Sequence, residues 1–308
     1  MILKPRALKP GDRLAVVAPA SPFTRGEFDS GISELRRLGF DPVYDDSVFA
    51  RRAYVAGSPE VRAAAIHAAW RDPSIAGIIC VRGGYGSVQV LPLLDRAEAR
   101  RARKAFIGYS DLTSMLTFLT ISCGVVAFHG PMLAERLGRG ETRYDRSSFV
   151  SALCHREPMG EIRAPSLETI RSGEAAGPLF GGTLTQLLGS LGTPFPFAPP
   201  DQYVLFLDEV GERPYRLDRM VTQLRQTGLL AKARAVVVGE LPGCDEQSGE
   251  PTARSVMADV LSDFDGPVVI GFPSGHTAGP AMTLPFGVSS RVIASASPAL
   301  IIEEPAVE

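Results

Sequence analysis

The sequence predicts an α/β fold whose first half is a parallel sheet covered by helices on both faces, and two observations carry that expectation. From residue 13 onward, short β-branched runs alternate with amphipathic stretches, and the strand candidates are apolar at nearly every position instead of every second one. A strand buried on both faces loses the in-and-out alternation of a half-solvated sheet, and helical crossovers are what join parallel neighbours.

The first strand, "RLAVVAP" (13–19), is followed by helical spacing in "GEFDSGISELRRLG" (26–39). "FDPVYD" (40–45) leads into "SPEVRAAAIHAAWRD" (58–72), "IAGIICV" (75–81) into "GSVQVLPLLD" (86–95), and "AFIGYS" (105–110) into "DLTSMLTFLTISCG" (111–124), before "VVAFHGP" (125–131) closes the series. The basic run "RAEARRARK" (96–104) has helical spacing and reads as a solvated helix face. Between about residues 134 and 178 the pattern breaks into polar residues with scattered Pro and Gly, as expected of a crossing segment. A second region begins at "LFGGTLTQLLGSLGTPF" (179–195). It holds strand candidates "YVLFLDE" (203–209), "ARAVVVGEL" (233–241), "GPVVIGFP" (266–273), "RVIAS" (291–295) and "ALIIEE" (299–304), and helices "PYRLDRMVTQLRQTG" (214–228) and "TARSVMADVLSDF" (252–264). The expected division is 1–155, a linker at 156–175, and 176–308.

At 308 residues and 45% hydrophobic content the chain can bury a sizeable core in one or two domains. A net charge of −2 and a pI near 6.1 argue against a nucleic-acid partner, which is gripped by clustered Lys and Arg. No apolar run follows a basic start at the N-terminus, and none approaches the length of a membrane span. Cys80, Cys123, Cys154 and Cys244 are far apart and form no C-x-x-C pair, which suits a reduced cytoplasm; Cys154 beside His155 supplies too few ligands for a metal and reads as a helix end.

Ligands of such sheets bind where strands run at their carboxyl ends into helices, and two turns there attract attention. After "IICV", Gly83, Gly84 and Gly86 let backbone N–H groups approach a ligand, without the spacing of a nucleotide loop. After "AFIG", Ser110 and Asp111 open a helix. Either can cap it, and Ser110 can equally be a nucleophile at a strand-to-helix elbow, although no second glycine completes G-x-S-x-G.

A nucleophilic serine needs a base and a group to orient it. Of four histidines, His67 lies in an Ala-rich helix, His155 at the presumed boundary, and His129 at a strand end, where it lines a pocket or satisfies a turn. His276, in the Gly/Pro-rich loop "IGFPSGHTAGPAMTLPFG" (270–287), is the best base. For the orienting acid, "YVLFLDE" ends in Asp208 and Glu209, of which only one can face the histidine because successive strand side chains alternate.

Taken in order, "LKPGDRLAVVAPAS" (8–21), "YVAGSPEVRAA" (54–64), "RGGYGS" (82–87), "GYSDLT" (108–113), "FHGPM" (128–132), "GGTLTQLLGSLGTP" (181–194), "LFLDEVGERPYRLDRM" (205–220) and "GFPSGHT" (271–277) resemble the LD-carboxypeptidases. These are the murein tetrapeptide carboxypeptidases and their microcin-inactivating relatives. The resemblance implies a cytoplasmic, homodimeric serine peptidase that removes the terminal D-alanine of the peptidoglycan tetrapeptide without metal or cofactor. It also implies a smaller C-terminal domain with a β-barrel-like sheet. Carried over by position, the nucleophile is Ser110, the base His276, and the oxyanion donors the N–H groups of Gly84 and Asp111. The family usually reads Leu-Glu-Asp where this chain has Leu207-Asp208-Glu209, so position points to Asp208 and residue type to Glu209; strand register favours Asp208. Thr183 stands where relatives commonly have Asn.

Overall fold

The computed structural model describes residues 2–308, arranged as two sheets with helices packed against them. β1 (Arg13–Val17), α1 (Arg25–Arg37), β2 (Asp41–Val43), α2 (Pro59–Arg71), β3 (Ile75–Cys80), α3 (Arg96–Ala102), β4 (Ala105–Gly108), α4 (Thr113–Thr117) and β5 (Ala127–His129) follow the predicted alternation. These five strands run parallel in the order β5-β4-β3-β1-β2. Every residue of β3 and β4 is buried, which is why their sequences carry no polar alternation. Strand order reverses between β1 and β3, the switch point beside whose carboxyl ends sheets of this kind hold ligands. One expected helix is absent: 86–95 forms two 3₁₀ turns, Ser87–Gln89 and Leu91–Leu93, and Pro92 inside the second has no N–H to give a continuous α-helix.

In the second half, α5 (Arg146–Cys154), β6 (Gly160–Ile162), β7 (Glu168–Arg171), β8 (Gly173–Thr183), α6 (Leu184–Gly189), β9 (Tyr203–Asp208), α7 (Pro214–Gln226), α8 (Leu229–Lys232), β10 (Ala233–Gly239), α9 (Ala253–Val260), β11 (Val268–Phe272), β12 (Leu284–Phe286), β13 (Ser289–Ala294) and β14 (Ala299–Ile302) complete the chain. Eight of these strands form one mixed sheet in the order β6-β14-β13-β8-β9-β10-β11-β7. It curls because the long β8 pairs through Gly173–Pro178 with β13 and through Leu179–Thr183 with β9. No ladder joins β6 to β7 among the described residues, so the barrel-like curl stays open; Thr169 Oγ1 of β7 donates to Ser295 O just past β13, 2.7 Å away.

The expected linker is corrected by this sheet. Residues 156–175 contain β6 and β7, which are its two edges, paired antiparallel with β14 and β11. Edge strands pair on one side only and are half-exposed here, so their sequences lack the apolar continuity that marks the central strands. The boundary is also crossed in the other direction. β12 returns to extend the first sheet beside β5, and Ala306 and Val307 join the N-terminal core.

β9 divides its side chains between two cores. Val204 and Phe206 face the core shared with the first sheet, while Tyr203, Leu205 and Leu207 face Leu187, Leu217, Val221 and Leu224 of α6 and α7. That alternation decides where the two acids at the end of the strand point. Among the described residues, no helix is long and apolar enough to cross a membrane.

Candidate active site

β4 ends at Gly108, Tyr109 is extended, and Ser110 then takes a φ of +64°. A residue with a Cβ enters this left-handed region at a cost of about 1–3 kcal/mol, so the surrounding structure must impose it. Neither side chain of the Ser110-Asp111 pair caps the helix that follows, which corrects the capping alternative for both. Ser110 is turned away by its own backbone. Asp111 is drawn to another loop: its carboxylate accepts from the Ser87 N–H at 2.8 Å and from Gln186 Nε2 at 3.3 Å. Burial pushes the Asp111 carboxyl up despite those bonds.

The glycine-rich turn after β3 lies directly against the serine. A Cβ on Gly83 would come within 3.0 Å of Ser110 Cβ and 3.2 Å of its Oγ, so only glycine allows this approach without displacement. Ser21, after β1, ties the turn in place by donating its N–H to Gly83 O (3.1 Å) and accepting the Tyr85 N–H (3.0 Å). Buried Arg62 donates to Pro19 O and Gly86 O, both at 2.7 Å. Gly84 lies in this turn at φ +94°, and its N–H has no acceptor among the described residues.

His276 belongs to the loop between β11 and β12. Its Nδ1 lies 2.7 Å from Asp208 Oδ2, and its backbone N–H donates to Asp208 Oδ1 at 3.1 Å. Burial opposes a charge on the imidazole, but the Asp208 carboxylate and its hydrogen bond outweigh that and hold His276 above the ordinary histidine value. Glu209 is on the other face of β9. It accepts from the Thr185 N–H (2.9 Å) and Thr185 Oγ1 (2.6 Å) at the start of α6, and desolvation raises its carboxyl. Thr183 Oγ1 approaches Asp208 Oδ2 at 3.4 Å, so the hydroxyl borders the acid.

The Tyr109 ring packs edge-on against His276 at 5.1 Å between centroids, which brings the serine turn and the histidine loop to one place. No hydrogen bond joins Ser110 to His276 among the described residues; such bonds commonly tighten only around substrate. His67 and His155 stay outside this group, His67 bound to Glu98 and Leu93 O, and His155 at the end of α5. No three His, Cys, Asp or Glu side chains converge as a metal would need, among the described residues.

The sequence reading missed Arg136. It is buried, and it donates to the carbonyls of Gly275 (2.8 Å), Thr277 (2.9 Å), Gly279 (3.1 Å) and Arg143 (3.2 Å), gripping the loop on both sides of His276. Three of its four acceptors are backbone atoms 139 to 143 residues away, and no local pattern announces such a partnership.

A doubly wound sheet presenting a strained serine in a turn that packs against a histidine paired with a buried carboxylate has the plan of a hydrolase. The profile of the LD-carboxypeptidase N-terminal domain matches residues 14–130 and that of the C-terminal domain residues 176–292, and the chain belongs to this peptidase family. A Bacillus subtilis relative named "Probable murein peptide carboxypeptidase" is 30% identical over 97% of this chain and 94% of its own. The crystal structure of muramoyltetrapeptide carboxypeptidase from Oxalobacter formigenes superposes with a TM-score of 0.84 at 27% identity, covering 95% of this chain and 99% of the other. MccF, the microcin C7 self-immunity protein, in complex with glutamyl sulfamoyl guanosine, shares the fold at a TM-score of 0.90 and 23% identity, covering 99% and 100%.

Proposed function

We propose that this protein is a cytoplasmic serine LD-carboxypeptidase that removes the terminal D-alanine from the peptidoglycan tetrapeptide during wall recycling, working as a homodimer. The observation that carries the reading is the His276–Asp208 pair, 2.7 Å apart, packed through Tyr109 against the turn that holds Ser110 in the left-handed conformation. His276 takes the Ser110 proton as Oγ attacks the carbonyl of the penultimate residue, whose reacting centre has L configuration. The resulting imidazolium, offset by Asp208, returns the proton to the departing D-alanine amine. Water then releases the acyl group by the same relay. The N–H groups of Gly84 and Asp111 hold the oxyanion, a contribution of about 3 to 4 kcal/mol per donor in comparable sites. Glu209 serves α6 in place of the histidine, consistent with its bonds to Thr185.

An aminoacyl-nucleotide adduct is the alternative substrate, on the likeness to MccF. This chain's single tryptophan, Trp70, is buried in α2 and unavailable to stack on a base, which ranks that substrate second. Ser110→Ala, compared with the parent protein for D-alanine release from murein tetrapeptide by mass spectrometry, is the test. Loss of turnover by about three orders of magnitude or more in a folded variant is expected. Near-parental turnover refutes the nucleophile, and cleavage of an aminoacyl-sulfamoyl nucleoside in preference to tetrapeptide reverses the ranking of substrates.

A further inference from the structure

His129 ends β5 with no exposed surface, its ring packed against Phe206, Phe286 and Tyr109 at centroid separations of 5.1, 5.3 and 5.9 Å. Burial lowers its imidazole to about 4, the Asp208 charge opposing only in part, so near neutral pH the ring is neutral and carries a single proton. Two arrangements of that proton compete. Nδ1 is 3.0 Å from Ser274 Oγ, whereas Nε2 has no hydrogen-bond partner and lies 4.0 Å from Asp208 Oδ2. The Ser274 hydroxyl is also 2.8 Å from Met282 O, so its one proton can serve either acceptor.

With the proton on Nδ1, a bare nitrogen lies 4.0 Å from a carboxylate oxygen with both side chains fully buried, and the low local dielectric makes that repulsion costly. With the proton on Nε2, the positive end of the N–H dipole faces Oδ2, and Ser274 gives its own proton to Nδ1. We propose that His129 is a positioning residue for Asp208, carrying its proton on Nε2 and holding the Oδ2 edge of the carboxylate toward His276. The inference rests on the reading of Asp208 as the orienting acid. Gly275 is fitted to the same arrangement, since a Cβ there would lie 2.5 Å from Asp208 Oδ2 and 2.7 Å from His129 Cε1. The other titratable groups around the pair are His276 on its loop, Tyr109 after β4, Glu135 and Arg136 after β5, and Glu209 at the end of β9.

Selective nitrogen-15 labelling of histidine tests the proton position in the parent protein, with the His129 signals identified by their loss in His129→Gln. Nε2 is expected at the shift of a protonated ring nitrogen; the shift of a bare one overturns the proposal, whether or not the protein cleaves any peptide. Glutamine keeps an amide N–H near the Nε2 position and asparagine does not. Removing the dipole leaves the Asp208 charge less offset, so the His276 titration midpoint rises in His129→Asn and returns toward the parental value in His129→Gln. The kcat for D-alanine release falls about tenfold in the asparagine variant with KM little changed. An unmoved or lowered His276 midpoint in folded His129→Asn overturns the proposal; if that variant does not fold, the parental nitrogen shift decides. A protonated Nε2 and the shifted midpoint in a protein that releases no D-alanine count against the assigned activity instead.

Discussion

The two sides of the candidate site are built differently. On the serine side, each group stands at the carboxyl end of a neighbouring parallel strand: Ser21 after β1, the glycine turn after β3, Ser110 after β4. Strand order alone brings them together, and short bonds between adjacent loops finish the work. On the histidine side, the loop bearing His276 has no such scaffold and is gripped from outside, by Arg136 through its carbonyls and by Asp208 through both a backbone and a ring nitrogen. The serine side is thus set by the order of adjacent parallel strands and the bonds between their loops, and the histidine side by polar contacts from outside its loop, which makes the latter the easier to disturb.

The strongest way to break this comparison is to separate the two acids of β9. Asp208→Asn, which keeps the side-chain volume and removes the charge proposed to stabilise the imidazolium, should lower kcat by about 10³–10⁴-fold. Glu209→Gln, on the opposite face, should leave kcat within about threefold of parental while lowering the thermal midpoint, because its acceptor bonds to Thr185 are only partly replaced. Steady-state release of D-alanine with both variants measures the contrast, and similar losses in the two would mean that register does not divide their roles.

A smaller effect is expected from Arg136→Met, which fills the space but frees the carbonyls of Gly275, Thr277 and Gly279. Each unpaired carbonyl costs on the order of 1 kcal/mol, so the melting temperature should fall, and kcat should drop by about 10–100-fold through a misplaced His276. A variant that melts earlier but turns over at the parental rate would show that the loop holds its shape without the arginine.

The smallest effect sharpens the electrostatics of the same loop. In the proposed mechanism His276 must be neutral to accept the serine proton, and Asp208 holds it above its ordinary value of 6.5. The acid limb of the kcat/KM profile should therefore have its midpoint above 6.5, with activity lost as pH falls through it. In Asp208→Asn the residual activity should show that limb displaced toward lower pH; a limb at the same pH in both proteins would detach it from His276.

Much of the serine side was legible in the sequence. Apolar continuity marked β3 and β4, and it directed attention to the residues directly after them, because parallel sheets gather their loops at one edge. His276 emerged by elimination among four histidines, and the parity of β9 said that only one of Asp208 and Glu209 could face it, while the preference for Asp208 came from the family's position and its register. What local pattern could not disclose was the fate of Ser110 and Asp111 as caps, since a positive φ and a bond to Ser87 depend on packing from another loop. Nor could it disclose β6, β7 and β12, short strands whose pairing partners are distant in the chain.

The sequence by itself determined the alternation of strands and helices, the placing of glycines where backbones meet, and the rule that neighbouring acids on a strand face opposite ways. These follow from the periods of the backbone and the volume of each side chain, properties a short segment carries with it. Only the tertiary structure decided which face of β9 looks toward His276, that Arg136 holds the loop, and that His129 lies buried behind Asp208. Burial and long-range hydrogen bonding belong to pairs of segments, and they come into being only when the two sheets pack around a shared core.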